Sequence, residues 1–171
     1  FGDLSGVLGA SVESLASTPG VGVLAAADLV QLRELAIRLT ASRIDRRFVI
    51  GSWTALLSYV GAQLRHARTE QFRVLFLDAR HGLIRDEQLG QGTIDHAPVY
   101  VREVVRRALE LGAAALILVH NHPAGDPTPS RADIDMTRQI VEAGRLLRLS
   151  VHDHLIVGRD EVASFKSLGL L

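Results

Sequence analysis

The sequence contains no cysteine among its 171 residues, and this absence removes several classes of site. Disulfide bonds, thiolate ligands for zinc and cysteine nucleophiles are all excluded. A chain without disulfides fits a reducing compartment, so we expect a cytoplasmic location. No apolar run approaches the roughly 20 residues that span a bilayer, so we expect no membrane partner.

The sequence also lacks an excess of either charge, with 19 basic and 19 acidic residues. A neutral balance gives no electrostatic reason to expect nucleic acid or an anionic membrane as the main partner. The length allows one good hydrophobic core with a small appendage, and 47% hydrophobic residues is ordinary for a globular protein. Because the chain begins at Phe1 rather than at methionine, we expect it to be part of a longer protein.

The composition changes near residue 42, and this change predicts two domains. A small all-α module would occupy 1–42, a short linker 42–47, and a larger domain 48–171. Within the module, the apolar pattern predicts helices over Ser11–Ala16 and Leu24–Thr40.

The turn between these two helices resembles a helix-hairpin-helix, whose pattern is Pro-Gly-hydrophobic-Gly followed by small and apolar residues. Gly20 and Gly22 would let backbone N–H groups approach a phosphate at a helix start, which implies a weak DNA contact. Val23 and Leu24 follow, at positions where polar or basic residues would help such a contact. A plain helical packing module is the alternative. The matching residues are Pro19, Gly20, Val21, Gly22, Ala26 and Leu29.

The second part alternates amphipathic helices with β-rich apolar runs. This alternation predicts an α/β (α+β) fold, in which a mixed sheet is flanked by helices. The continuous apolar run Ala113–Val119 is typical of a strand buried on both faces. The other predicted strands are 72–78, 83–89 and 150–157, and the predicted helices are 52–68, 101–111 and 134–147.

The most informative stretch, His120-Asn121-His122 and a proline-rich loop, follows directly after that apolar run. Two histidines at i and i+2 on a strand end point to the same side, and neutral imidazole nitrogens suit zinc. Asp133 supplies a third ligand if the loop folds back, and a catalytic zinc keeps three protein ligands and one open position. Ser130 lies one helical turn before Asp133, so its hydroxyl would sit beside the same site.

Ser130 and Asp133 also match a capping box, in which each side chain bonds the backbone of the other at a helix start. Thr128 is a good N-cap, however, and Pro129 is favoured at the first helical position. We therefore expect Thr128-Pro129 to start the helix, which would leave Ser130 and Asp133 for the site. The joint pattern favours a metal site over separate structural roles.

His-x-His, seven residues and Ser-x-x-Asp together resemble the JAMM (MPN+) motif of zinc-dependent isopeptidases. The wider sequence is similar to the RadC family of bacterial JAMM-like proteins over essentially the whole chain. The resemblance implies a JAMM/MPN fold of the cytidine-deaminase-like type and one zinc ion per chain, held by His120, His122 and Asp133. The segments that carry it are His120–Thr137, Gly92-Thr93, His96–Tyr100 and Val151–Leu155.

The resemblance also implies which groups would perform the chemistry. Ser130 would hydrogen-bond the oxyanion that develops during attack on a carbonyl. JAMM proteins use a glutamate just after the first helix of the domain as general base, and Glu70 stands at that position. Glu87, on the next predicted strand, is the alternative base.

Other polar residues near the motif would have supporting roles. His152 and His154 form a second His-x-His, for which we favour contact with the metal ligands or the substrate over a second metal pair or a plain structural role. Asn121 would point away from the metal face and brace the loop. The segment 96–98 would line the cleft, and Asp126 is predicted to be a turn residue.

Three functions stay open for the sequence. The first, which the resemblance favours, is a zinc-dependent hydrolase that attacks an amide bond of a peptide or protein. The second is a DNA-associated repair or recombination protein, including a nuclease guided by the N-terminal module, although the neutral charge lends it no support. The third is a non-catalytic MPN-type scaffold, against which the intact ligand set argues. The sequence carries no indication of oligomeric state, and the His-x-Glu and Pro-Cys-x-x-Cys ligands of zinc deaminases are absent.

Overall fold

A computed structural model of the protein describes residues 1–42, 53–92 and 99–171. The predicted linker beyond residue 42, the predicted start of the second domain at residue 48 and the predicted cleft segment 96–98 lie outside the described residues. Across the three described ranges, no helix combines the length and apolar character needed to cross a membrane.

The N-terminal part folds into helices: α1 (Leu4–Leu8), α2 (Val12–Ala16) and α3 (Val23–Ser42). Gly20 lies in the turn between α2 and α3 with a φ of 84°, a left-handed conformation that glycine adopts without steric cost. Leu15 and Ala26 are buried where these helices pack. An added side chain at Gly20 or Gly22 would meet open space, and phosphate contact by these two glycines stays a prediction.

The larger part is built on a mixed sheet with helices on both faces. Its elements are α4 (Trp53–Leu64), β1 (Gln71–Leu77), β2 (Leu83–Gln91), α5 (Val101–Glu110), β3 (Ala115–Asn121), α6 (Arg131–Leu146), β4 (Ser150–Val157) and β5 (Val162–Ser164). The strand order is β2-β1-β3-β4-β5, with β3 and β4 parallel and the other neighbours antiparallel. The predicted α/β fold class is confirmed.

Strand β3 lies at the centre of the sheet, and its alternating side chains divide between two cores. Leu116 and Leu118 pack with α5 and α6 on one face, while Ile117 packs with α4 on the other. Every residue of β3 is buried, as predicted for a strand covered on both sides. The same alternation directs His120 to the α5/α6 face and Asn121 to the α4 face.

Candidate metal centre

Three side chains converge at the carboxyl end of β3, where the chain leaves the sheet. The Nε2 atoms of His120 and His122 lie 3.0 Å apart. Asp133, in the first turn of α6, places Oδ1 3.2 Å from His120 Nε2 and Oδ2 3.5 Å from His122 Nε2. His120 and Asp133 are buried, and His122 is half-buried. The fold therefore brings the three predicted ligands together.

The spacing of these donor atoms fits a tetrahedral metal ion. Zinc bonds to histidine nitrogen and carboxylate oxygen are about 2.0–2.2 Å long, so neighbouring ligand atoms lie roughly 3.3–3.6 Å apart. The three distances of 3.0, 3.2 and 3.5 Å are close to that spacing. An ion held by three protein ligands would keep a fourth position open. His120, His122 and Asp133 thus form a potential metal-binding group.

The loop after β3 orients His122. Its Nδ1 lies 2.8 Å from the backbone oxygen of Asp126, and because a carbonyl only accepts, Nδ1 carries the hydrogen. The Asp126 carboxylate accepts hydrogen bonds from the Thr128 N–H at 2.9 Å and from its hydroxyl at 2.7 Å. Asp126 is therefore a turn residue, as the sequence predicts, and its backbone carbonyl also leaves the Nε2 lone pair of a neutral His122 facing the site.

The proline-rich loop folds back against the end of β4. The N–H of Arg159 donates to the backbone oxygen of Gly125 at 2.9 Å. At Gly158, an added Cβ would lie 2.5 Å from that same oxygen and 2.8 Å from Pro127 Cδ, so this close approach requires glycine. The fold-back satisfies the condition under which Asp133 reaches the two histidines.

The start of α6 corrects the prediction for Thr128-Pro129. Ser130 is the N-cap: its Oγ accepts from the Asp133 N–H at 3.2 Å, and the Ser130 N–H donates to Asp133 Oδ2 at 2.8 Å. Thr128 does not start the helix because Asp126 holds both its N–H and its hydroxyl in the preceding turn. The prediction that Ser130 and Asp133 are released from capping is wrong.

Capping and the metal group share residues without competing. Asp133 accepts from the Ser130 backbone with Oδ2, while Oδ1 faces His120 Nε2. Ser130 uses only a lone pair of Oγ for the cap, so its hydroxyl hydrogen can still be donated to a substrate. The capping box thus aims the carboxylate at the site and leaves the serine hydroxyl exposed beside it.

The charges within the group are coupled. Burial acts to raise the pKa of Asp133, but the adjacent imidazole rings of His120 and His122 outweigh burial and hold that pKa well below its usual value. The hydrogen bond with Asp133 is also the main cause that raises the pKa of His122. A carboxylate that stays ionised is the form that binds a cation, and a proton on His122 would have to leave first.

Glu70 lies between α4 and β1, and its side chain borders the same cleft as two of the ligand candidates. It is buried, and it lines a cleft of about 340 Å³ together with His120 and Asp133. Its negative charge adds to the causes that raise the pKa of His122. The structure therefore brings the predicted base to the predicted ligands. An apolar wall of the cleft is formed by Phe72, Val99, Val101 and Met136.

Asn121 holds the segment that carries Glu70. Its side-chain oxygen accepts from the Gln71 N–H at 2.9 Å, and its side-chain amide donates to the Thr69 carbonyl at 3.2 Å. The side chain points away from the metal group, as predicted, but it braces residues 69–71 rather than the loop that follows it. Adjacent residues of β3 thus serve the site differently: His120 as a ligand candidate and Asn121 as the clamp on Glu70.

Glu87, the alternative base, is paired with Arg107. Its two carboxylate oxygens accept hydrogen bonds from the Arg107 guanidinium at 2.6 and 2.5 Å. This hydrogen bonding lowers the pKa of Glu87. Glu87 is not among the residues that line the cleft with Glu70. The geometry therefore favours Glu70.

His154 is packed directly behind the metal group. Its Nε2 lies 2.8 Å from His120 Nδ1, and its ring is fully buried. Burial, followed by the charge of His120, holds the pKa of His154 well below its usual value. The other ring nitrogen, Nδ1, lies 2.6 Å from the hydroxyl of Thr137, a residue that the sequence analysis missed. The signal for Thr137 was its place one helical turn after Asp133, on the same face of α6.

His152 pairs with His81 rather than with the metal ligands, and its predicted contact with the substrate stays a prediction. Its Nε2 lies 3.0 Å from Nδ1 of His81, in the turn between β1 and β2. The pairing of β3 with β4 shifts register around His152, which marks a β-bulge. The bulge breaks the alternation that was expected to align His152 with His154.

Comparison with known proteins agrees with this geometry. The family described as the RadC-like JAB domain matches residues 50–170, a range that contains the three ligand candidates and Glu70. A UPF0758 protein of Ruegeria pomeroyi is 53% identical over 171 residues, which is 100% of this chain and 76% of that protein. Both similarities extend far beyond the short motif that contains the three ligand candidates. The chain therefore belongs to the RadC family.

Proposed function

We propose that the protein is a zinc-dependent hydrolase that cleaves an amide bond in a peptide or protein. The observation that carries this proposal is the convergence of His120, His122 and Asp133 in one group, beside a cleft that Glu70 lines together with His120 and Asp133. Two neutral nitrogen donors and one carboxylate are the ligand types of hydrolytic zinc sites. Membership of a JAB-domain family supports a hydrolase over a scaffold, since a scaffold has no need of the complete set.

Each group has a distinct task in this proposal. When bound, zinc supplies a Lewis acid and a water of lowered pKa. Glu70 takes a proton from the attacking water and passes it to the leaving amine. The Ser130 hydroxyl donates to the carbonyl oxygen as negative charge develops there. The apolar wall of the cleft limits water and so strengthens these electrostatic interactions.

The proposed function is tested by metal analysis and substrate screens on one preparation. Protein purified without chelator and dialysed against zinc is expected to hold one zinc per chain. The loaded protein is then incubated in parallel with peptide, isopeptide and DNA substrates. Amide cleavage that stops on chelation and returns with zinc is the expected result.

Two outcomes of that screen would contradict the proposal. Zinc content at background would remove the metal from the mechanism. Chelator-sensitive cleavage of DNA without any amide cleavage would favour the DNA-associated alternative, in which the module over 1–42 guides the chain to its substrate.

Ser130→Ala is expected to affect stability and turnover separately. Loss of the N-cap acceptor is expected to lower the free energy of unfolding by about 1 kcal/mol. Loss of the hydroxyl donor is expected to lower turnover by roughly 10²–10³-fold. Thermal melts and initial rates measured on the same zinc-loaded preparation give both numbers.

Ser11→Ala is the matched control for this variant. Ser11 caps α2 in the same way, accepting from the Ser14 N–H at 3.2 Å, but its helix carries no residue of the metal group. It should therefore lower stability without lowering turnover per folded molecule. The oxyanion role of Ser130 fails if Ser130→Ala behaves like Ser11→Ala.

A further inference from the structure

A row of buried hydrogen bonds runs behind the metal group. His120 Nδ1 lies 2.8 Å from His154 Nε2, and His154 Nδ1 lies 2.6 Å from Thr137 Oγ1. The row ends where Thr137 Oγ1 lies 2.6 Å from the backbone oxygen of Asp133. His120, His154 and Thr137 are each no more than 1% exposed. Their hydrogens are therefore shared within the row rather than with water.

The carbonyl at the end of the row sets the direction of every bond in it. A carbonyl oxygen cannot donate, so a 2.6 Å contact between it and Thr137 Oγ1 requires the hydroxyl hydrogen between them. The hydroxyl has only one hydrogen, so Oγ1 must accept from His154 Nδ1–H. His154 is fully buried, and its two ring nitrogens face the neutral partners Thr137 Oγ1 and His120 Nδ1, so it is neutral and its Nε2 bears a lone pair. That lone pair accepts from His120 Nδ1–H.

We propose that Thr137 and His154 are positioning residues that hold His120 in the Nδ1–H tautomer and present its Nε2 lone pair to the metal. This inference rests on the metal site of the proposed function. His120 Nε2 is the atom that faces Asp133 Oδ1 at 3.2 Å and His122 Nε2 at 3.0 Å. A hydrogen on that atom would block coordination, so the tautomer decides whether the ligand set is complete.

Thr137 decides the tautomer of His120, because His154 alone could either accept a hydrogen bond from His120 Nδ1 or donate one to it. His122 is fixed by a carbonyl, which can only accept. A histidine partner does not fix the tautomer of its neighbour in this way, since a neutral imidazole has one donor and one acceptor nitrogen. Without the Thr137 hydroxyl, His154 could carry its hydrogen on Nε2 and donate to His120 Nδ1. The hydrogen of His120 would then lie on Nε2, facing Asp133.

Packing holds the His154 ring in the orientation that this row needs. The Phe165 ring lies over it with centroids 4.5 Å apart and an interplanar angle of 31°. The Phe72 ring meets it edge-on with centroids 5.8 Å apart. The same helix, α6, supplies Thr137 at the end of the row and the Asp133 carboxylate at the site. Helix α6 therefore positions two of the three ligands: it carries Asp133 itself, and its Thr137 orients His120 through His154.

The tautomer can be observed without substrate or metal. In metal-free protein labelled with ¹⁵N-histidine, two-bond nitrogen–proton spectra distinguish an Nδ1–H from an Nε2–H ring. We expect His120 to show Nδ1–H in the wild-type chain. An Nε2–H ring at His120 would overturn the proposal whether or not the protein hydrolyses anything.

Zinc affinity provides the second readout, measured by competition with a chromophoric chelator. Thr137→Val keeps the shape but removes the hydroxyl, and it is expected to weaken zinc binding by roughly 10–100-fold, the scale for such outer hydrogen-bond partners. Thr137→Ser restores the hydroxyl and should stay close to wild type. A folded Thr137→Val with unchanged affinity and an Nδ1–H His120 would overturn the role of Thr137.

Variants of His154 keep the inference testable if Thr137→Val fails to fold. His154→Gln can still accept from His120 Nδ1–H through its side-chain oxygen, whereas His154→Phe cannot. We expect His154→Gln to retain zinc affinity better than His154→Phe by roughly 10-fold or more. Equal affinities in the two variants would mean that His154 fills space only. A wild-type chain that binds no zinc at all would instead defeat the proposed function, while the tautomer measurement would still be decisive for the row.

Discussion

Glu70→Gln is expected to keep its zinc and to lose turnover by roughly 10²–10⁴-fold, the range for removal of a general base. Glutamine has nearly the same shape and can still form hydrogen bonds, but it cannot take a proton from water. The backbone on either side stays clamped by Asn121, so the side chain remains in the cleft. Zinc content and initial rates, measured on one preparation, separate the loss of a base from the loss of the metal.

Glu87→Gln is the control for the choice of glutamate. Its ion pair with Arg107 is partly exposed, so its loss should lower stability by no more than about 1 kcal/mol and leave turnover unchanged. The opposite pattern, an active Glu70→Gln and an inactive Glu87→Gln, would reverse the assignment. Loss of zinc in Glu70→Gln would instead make Glu70 a ligand or a structural residue.

The Glu87 variant also has an expected pH dependence. The pKa of Glu87 is lowered in the folded chain by its hydrogen bond to Arg107. Stability from a lowered carboxyl pKa is fully present above the unfolded value and is lost as the pH falls through the folded value. The stability difference between wild type and Glu87→Gln should therefore be largest near neutral pH and shrink in acid.

The ligand group could be predicted because its geometry is mostly local. Two histidines on one strand end share a side, and Asp133 sits in the first turn of the next helix. The error concerned Thr128, where residue preferences at helix starts favoured one cap and the turn around Asp126 enforced another. That error was harmless for the site, because capping and ligation use different atoms of the same residues.

The supporting contacts could not be predicted because they join distant parts of the chain. Asn121 reaches Gln71 across β3 and β1, and His154 reaches His120 across β4 and β3. Both contacts depend on the strand order and register, which a single sequence does not specify. The bulge at His152 is likewise not specified by the sequence pattern, and its one extra residue reverses which face of the sheet a side chain lies on.

Asp133→Ala is expected to remove the zinc and the hydrolysis together, since two histidines alone leave a weak and incomplete site. It also removes half of the capping box, because the Ser130 N–H loses its acceptor. Asp133→Asn separates these effects: its side-chain oxygen can still accept from Ser130, while the charge that attracts the cation is gone. We therefore expect both variants to lack zinc and Asp133→Asn to be the more stable one without metal.

Thermal melts with and without zinc measure how much zinc binding stabilises each of these variants. A ligand that binds only the folded chain stabilises it by about 2.7 kcal/mol at 100 times its Kd. In a chain of this size, that corresponds to a rise in Tm of roughly 5–10 °C. Wild type should show such a rise and Asp133→Asn should show none, because zinc has lost its anionic ligand. A zinc-induced rise that survives in Asp133→Asn would place the ion elsewhere and would detach Asp133, and with it the family mechanism, from this cleft.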